Sequence, residues 1–116
     1  MKIPLILCAI LAGIAARPVH AQAPDGQALY REHCRTCHGL TGRPTDRARR
    51  EFKRVPTFAD PAFFAGRSQD SVLAILTNGA YDGRDMKSFK NKLTHYEMVA
   101  VAQYIQTFAA PAPPSP

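Results

Sequence analysis

Three residues with chemically reactive side chains lie within five consecutive positions of this sequence. Cys34 and Cys37 are separated by two residues, and His38 follows directly. Thiols at this spacing can form a redox-active disulfide, contribute to a zinc site or bond covalently to a larger group. A redox-active pair is expected within a βαβ unit, which the sequence does not predict. A zinc ion needs about four ligands, and His33 and His95 are the remaining candidates, without a second paired motif.

The segment from Cys34 to His38 has the C-x-x-C-H pattern of covalent haem attachment. Two thiols at this spacing at a helix end can reach the two vinyl groups of one porphyrin, and the next residue places an imidazole at the iron. Thioether bonds also explain how both sulfurs would persist if the protein is exported to an oxidising compartment, as its N-terminal residues predict. A plain disulfide leaves His38 without a role. We therefore interpret the motif as the attachment site of one covalent haem c.

An iron bound by His38 needs a second axial ligand or keeps a vacant position. Met86 lies in an irregular segment between polar residues, where a core methionine is out of place, and is our predicted ligand. Met98 suits a core role on an apolar helix face, and His95 is a further alternative. A His/Met pair raises the reduction potential and fills both axial positions, which favours electron transfer. A vacant position instead favours a peroxidase-like enzyme or a gas sensor.

Residues 1–21 have the pattern of a secretory signal peptide. Lys2 supplies a positive charge, residues 3–16 are nearly all apolar, and Val19-His20-Ala21 resembles a cleavage site. We expect cleavage after Ala21, with Ala23 as the alternative. The apolar run of about 14 residues is short of the ~20 that a membrane helix needs. The sequence therefore predicts a periplasmic protein that is not inserted in the membrane.

The mature chain is expected to be basic. The full sequence has 116 residues, with 15 Lys and Arg against nine Asp and Glu. Loss of Lys2 and Arg17 with the signal peptide leaves 13 against nine, a net charge of +4. The basic side chains form two clusters: Arg47, Arg49, Arg50, Lys53 and Arg54, and then Arg84, Lys87, Lys90 and Lys92. They are either a solvated surface or a docking patch for acidic redox partners, and no motif for binding nucleic acid is present.

The sequence predicts an all-α domain at residues 22–109 with about four helices. No strand-like alternation is sustained. Capping residues and apolar periodicity place the helices at about Asp25–Cys34, Thr45–Arg54, Ser68–Asn78 and Thr94–Phe108. Thr94 and Glu97 have the spacing of a capping box. The loop between His38 and Ser68 is long, as in domains that wrap a ligand, and the proline-rich tail at 110–116 is predicted to be disordered.

On these residues the chain resembles the class I (mitochondrial-type fold) c-type cytochromes, of the small bacterial mono-haem kind. The resemblance runs from Gly26 to about Phe108. Gly26 and Tyr30 precede the first cysteine by eight and four residues, as in that family. The resemblance implies that the first helix crosses the last at this glycine, with Val101 and Tyr104 at the matching positions of the last helix.

The resemblance extends to the haem ligands and to function. Met86 and Phe89 match the family's methionine loop, although Lys87 replaces the usual proline. In the family a proline carbonyl accepts a hydrogen bond from the ligating histidine, and we expect Pro56 in this role, with Pro44 as the alternative. The implied protein is a periplasmic one-electron carrier with a cytochrome c-like fold around one covalent haem. Its use as a haem subunit of a dehydrogenase or oxidase complex stays open.

Overall fold

The computed structural model describes residues 22–109, so the predicted signal peptide and the proline-rich tail lie outside the described residues. The described elements are six α-helices and a final 3-10 turn: α1 (Gly26–His33), α2 (Arg35–His38), α3 (Asp46–Glu51), α4 (Pro61–Phe64), α5 (Gln69–Asn78), α6 (His95–Gln106) and the turn Thr107–Ala109. Pairing of β type in this range is limited to an isolated bridge between Ala80 and Met86. The all-α prediction is confirmed.

The predicted capping residues begin the three longest helices. The Asp25 carboxylate accepts hydrogen bonds from the backbone N–H groups of the first turn of α1, at 3.0 and 3.1 Å. Ser68 accepts one from Ser71 at the start of α5, at 3.2 Å. At α6 the Thr94 hydroxyl and the Glu97 backbone N–H are 3.2 Å apart, and the Thr94 N–H donates to the Glu97 carboxylate at 2.7 Å. The predicted capping box is therefore present, and these local signals fix where the helices start.

The other helices are shorter than the pattern predicted or were not predicted. The helix expected to end at Arg54 ends at Glu51, because Phe52 has the extended angles φ −123° and ψ 138°. α2 and α4 have four residues each, too few to show helical periodicity. The α4 segment nevertheless carries a recognisable signal, since Asp60 caps the helix and Pro61 opens it.

The main helix contact is the crossing of α1 over α6. A Cβ atom at Gly26 would lie 2.2 Å from the carbonyl oxygen of Ala100, so only glycine permits this approach. Tyr30 and Val101 are each 1% exposed at the crossing, and the Tyr30 ring lies 5.4 Å from that of Tyr104. The expected packing of the first helix on the last is present. No helix within residues 22–109 has the length and apolar character to cross a bilayer.

Candidate functional site

A cavity of about 890 Å³ lies between the end of α1, α2, α5 and the loops that follow α3 and α5. All five predicted site residues line it: Cys34, Cys37, His38, Pro56 and Met86. A second cavity of about 350 Å³, beside Pro61, is lined by none of these five. The larger cavity is the candidate site.

The two cysteines are presented by the break between α1 and α2. Cys34 leaves α1 with its N–H donating to the Tyr30 carbonyl at 2.9 Å. Its own carbonyl accepts from the N–H groups of Cys37 and His38, at 3.2 and 2.9 Å, so one turn of helix carries all three side chains. Both thiols are free, Cys34 being buried and Cys37 half-buried. Burial raises the pKa of the Cys34 thiol to about 11.

The turn after His38 is held from both sides. Gly39 has a φ of +73°, which favours glycine, and ends α2. The Tyr30 hydroxyl donates to the Gly39 carbonyl at 2.7 Å. The Thr45 N–H donates to the Cys37 carbonyl at 3.0 Å. These contacts connect the motif to the α1–α6 crossing and to the start of α3, which limits how far its side chains can move.

His38 is buried, with 9% of its surface exposed. Burial lowers its pKa to about 4, so the imidazole is neutral at physiological pH, which is the form that binds a metal. The Nδ1 atom is buried without a hydrogen-bond partner among the described residues. The expected hydrogen bond to the Pro56 carbonyl is therefore not formed here. Pro56 does line the cavity, and its role as acceptor stays a prediction.

An aromatic residue that the sequence analysis did not single out contacts His38. The Phe58 ring stacks on the imidazole with a centroid distance of 4.6 Å and an angle of 18° between the planes. Phe58 is itself buried, with 7% exposure. The two residues are 20 positions apart, so no local pattern in the sequence indicates this contact. The one sequence signal for this contact was the position of Phe58, two residues after Pro56, the predicted hydrogen-bond acceptor.

Met86 is placed by a tight loop between α5 and α6. The Ala80 N–H donates to the Met86 carbonyl at 2.9 Å, which closes the loop. Tyr81 and Asp82 form its turn, with φ values of +52° and +57°. Gly79 has φ +80° and ψ −179°, and a Cβ atom there would lie 2.5 Å from the Met86 carbonyl oxygen. The backbone at Met86 therefore depends on a glycine seven residues earlier.

The end of this loop is fixed to α5. The Phe89 N–H donates to the Leu76 carbonyl at 2.8 Å, and the Ser88 hydroxyl donates to the Thr77 carbonyl. Met98 lies in the core with 5% exposure and does not line the cavity. His95 is exposed and does not line it either. Of the three candidates for the second axial ligand, only Met86 reaches the cavity.

The two basic clusters differ in their relation to the cavity. In the first cluster Arg47 pairs with Glu51 at 2.8 Å and Arg49 pairs with Asp46, all exposed on α3. Cationic residues that do line the cavity come from both clusters and from outside them: Arg54, Arg67, Lys87 and Lys92. The α3 residues of the first cluster thus form a solvated face with its own ion pairs. Other residues of both clusters lie at the cavity.

The residues at this cavity fit a covalently attached haem. Two unbridged thiols, a neutral buried imidazole and a thioether sulfur face one space that is otherwise mostly apolar, with walls from Val55, Phe58, Phe63, Val72, Ile75 and Leu76. Within the described range no three His, Cys, Asp or Glu side chains converge to hold a metal ion by themselves. That absence does not suit a four-ligand zinc site, whereas a porphyrin brings its own four nitrogen ligands.

Comparison with known proteins points to the same chemistry. Residues 21–105 match the family model described as cytochrome C oxidase, cbb3-type, subunit III. The chain is 34% identical to the solved KustC0563 c-type cytochrome, with a TM-score of 0.65 over 72% of this chain and 96% of that chain. A tyrosine-to-phenylalanine variant of that cytochrome matches at 33% identity and a TM-score of 0.64, over 72% and 98% of the two chains. No curated protein sequence matches the chain.

Proposed function

Because the chain belongs to the family of cytochrome c oxidase cbb3-type subunit III domains, which are c-type cytochromes, we propose that it is a one-electron carrier. In this proposal Cys34 and Cys37 hold one haem c through thioether bonds, and His38 and Met86 are the axial ligands. The convergence of these four residues on one cavity is the observation that carries the proposal. The fold resembles that of a c-type cytochrome, with α1 crossing α6, and its assignment to class I (mitochondrial-type) is part of the proposal.

The four residues would divide the work of holding and tuning the haem. Cys34 and Cys37 would attach it, and when bound it would supply an iron that exchanges single electrons. His38, buried and neutral, would offer one nitrogen lone pair to the iron. Met86 would offer a soft sulfur that favours the reduced state and so raises the reduction potential. If both side chains bind the iron, no position would be left for small molecules, which would favour electron transfer over catalysis.

The cationic rim of the cavity supports docking to acidic redox partners. Arg54 lies over the Tyr81 ring, 4.5 Å from its centroid, and Lys92 lies 5.9 Å from the centroid of Phe89. Lys87 is exposed next to Met86. Positive charges at the edge of a redox centre speed encounter with an acidic partner and orient it. We propose that such partners meet this protein in the periplasm, after removal of residues 1–21.

A second candidate function is that of a haem subunit in a larger oxidase complex. The matching family model is itself described as an oxidase subunit, which favours this alternative. Native size separates the two functions. A carrier is recovered from a periplasmic extract at the size of the single chain, whereas a subunit is recovered with its complex.

The test of the proposed function uses the full chain expressed with its own leader and the cell's haem-attachment machinery. We expect the exported protein to have the mass of the chain from Gln22 plus one haem. Its ferric spectrum should show the weak sulfur-to-iron band at long wavelength. Met86→Ala should remove this band and lower the reduction potential, whereas Met98→Leu should leave both unchanged.

Three results would contradict the proposal. A colourless exported protein with the mass of amino acids alone excludes covalent haem. A wild-type protein that carries haem but lacks the sulfur-to-iron band excludes Met86 as a ligand and favours the five-coordinate enzyme or gas sensor. Loss of the band in Met98→Leu, with the band retained in Met86→Ala, shows that Met98 and not Met86 supplies the sulfur ligand.

A further inference from the structure

The contacts of the His38 imidazole determine how freely its ring can turn. Its Nδ1 atom has no hydrogen-bond partner in the described part of the chain. Its face lies against Phe58, with the centroids 4.6 Å apart and the planes 18° from parallel. The centroid distance lies at the short end of the range that paired aromatic rings prefer. An imidazole without a hydrogen bond can rotate about its Cβ–Cγ bond, so this flat contact is what limits its orientation.

Phe58 is itself held in place by its neighbours, so its ring can limit how the imidazole turns. Its backbone N–H donates to the Gly42 carbonyl at 2.7 Å, which ties it to the turn after the cysteine motif. Its ring packs against Phe63 at 5.2 Å and is 6.5 Å from Phe64. With 7% exposure, the ring has little room to change rotamer.

The orientation of an axial imidazole has electronic consequences. The plane of the ring determines which iron d orbital overlaps with the imidazole π system. That overlap determines how unpaired spin is distributed over the four pyrrole rings of a ferric haem. A side chain that sets the plane therefore affects the redox centre without touching the iron.

We propose that Phe58 is the positioning residue that fixes the plane of the His38 imidazole, and through it the electronic asymmetry of the haem. This inference rests on the proposed function, because it requires His38 to be an iron ligand. Phe58 touches the ligand and not the iron, so its role is exerted through His38. A hydrogen bond to a backbone or carboxylate oxygen usually orients a metal-binding histidine. Among the described residues, the stacking on Phe58 is the contact that limits the plane of this imidazole.

The experiment compares three variants of the exported, haem-loaded protein. Phe58→Leu removes the flat ring at similar apolar character, and Phe58→Tyr keeps the ring. Phe64→Leu is the matched control, since it removes a neighbouring phenylalanine that contacts Phe58 but neither His38 nor the cavity. The readout is the proton NMR spectrum of the ferric protein, in which the four haem methyl resonances report the imidazole plane. Circular dichroism records whether each variant is folded.

The inference predicts that Phe58→Leu shifts the haem methyl resonances and changes their order or spacing. Phe58→Tyr and Phe64→Leu should keep the wild-type pattern. Methyl resonances of a folded Phe58→Leu variant that match the wild type overturn the inference, as does an equal change in Phe64→Leu. If Phe58→Leu does not fold, a changed pattern in Phe58→Tyr overturns it and a retained pattern supports it.

Failure of the inference is distinguishable from failure of the proposed function. The wild-type spectrum alone shows whether the protein contains a haem with the axial ligands His38 and Met86. A second measurement tests for a competing hydrogen bond. In the reduced protein, the nitrogen and proton chemical shifts of His38 Nδ1–H distinguish a free N–H, which supports stacking, from a hydrogen-bonded one such as the bond expected to Pro56, which overturns the inference.

Discussion

Tyr30 connects the helix crossing to the cysteine motif through one hydroxyl group. It is 1% exposed and lies between the rings of Tyr104 and Phe108, at 5.4 and 5.1 Å. Its hydroxyl donates to the carbonyl of Gly39, directly after the predicted ligand His38. Burial, more than the neighbouring ionisable groups, raises its pKa above the usual value of 10.0. The phenol therefore stays protonated in the folded protein at pH values where a free tyrosine ionises.

Replacement of this hydroxyl has a pH-dependent effect on stability. Tyr30→Phe should lower the free energy of unfolding at neutral pH by about 1 kcal/mol, because one buried hydrogen bond is lost. Above pH 10 the unfolded wild type loses the phenol proton and the folded protein does not, so wild-type stability falls as pH rises. The phenylalanine variant lacks this loss, and the two proteins should converge. Urea denaturation between pH 7 and pH 11 measures the difference, and a constant gap would contradict the prediction.

Sequence and structure agree best for residues whose chemistry is local. Cys34, Cys37 and His38 are adjacent in sequence, and Met86 was recognisable because a methionine between polar residues has no core role. Phe58 could not be predicted, since its stacking on His38 depends on packing between distant segments. Whether Pro56 accepts a hydrogen bond from His38 depends on the same packing, so that role stays a prediction.

The loop between α5 and α6 acts as one unit in placing Met86. Gly79 permits the backbone angles that bring the two arms of the loop together, and the Ala80 N–H bonds to the Met86 carbonyl. Gly83 also has a positive φ, +72°, yet no atom lies within 4 Å of where its Cβ would stand. The two glycines thus share a conformational requirement but differ in the space around them.

This difference predicts unequal effects on the methionine ligand. Gly79→Ala should weaken or remove the sulfur-to-iron band, because a Cβ atom 2.5 Å from the Met86 carbonyl oxygen must displace that residue. Gly83→Ala should cost about 1–3 kcal/mol of loop strain while the band is retained. Absorption spectra of the two ferric variants make the comparison. Equal loss of the band in both would show that strain, and not the collision, controls Met86.

The start of α6 gives a second prediction about an element. Thr94→Ala removes the side-chain acceptor of the capping box and should lower the free energy of unfolding by about 1 kcal/mol. Thr94→Ser keeps the hydroxyl and should cost a few tenths of this. Denaturant midpoints of the two variants provide the measurement. A serine variant as unstable as the alanine variant would show that the threonine methyl group, and not the cap, is important.

The starts of the longer helices were the predictable features. α1, α5 and α6 begin where Asp25, Ser68 and Thr94 predicted them to begin. α2 was not predicted, because four residues carry no periodicity and its hydrogen bonds depend on the break at Cys34. The predicted end of α3 at Arg54 was wrong, because a polar sequence alone does not show where the backbone becomes extended.

At the scale of the whole molecule, the protein has two packing regions. One is the α1–α6 crossing, formed by side chains that the chain supplies itself. The other surrounds the cavity of about 890 Å³, whose apolar walls have no partner among residues 22–109. A cofactor with two flat apolar faces supplies that partner, so haem binding and folding are thermodynamically coupled.

Loss of attachment should therefore destabilise the domain. Cys37→Ala is expected to lower the free energy of unfolding by an amount on the order of 4 kcal/mol, because a group that binds only the folded state stabilises it. Thr36→Ala, an exposed change within the same motif, should have little effect. Thermal unfolding followed by circular dichroism, together with protease resistance, tests both. A haem-free Cys37→Ala protein that is compact and resists protease would contradict the coupling.

The burial of Cys34 also limits the order of assembly. Cys34 is 7% exposed in the fold, where it lines the cavity, and its raised pKa of about 11 disfavours the reactive thiolate at neutral pH. A chain that collapsed first would shield the atom that must react. We therefore expect haem attachment to precede the final packing around Cys34.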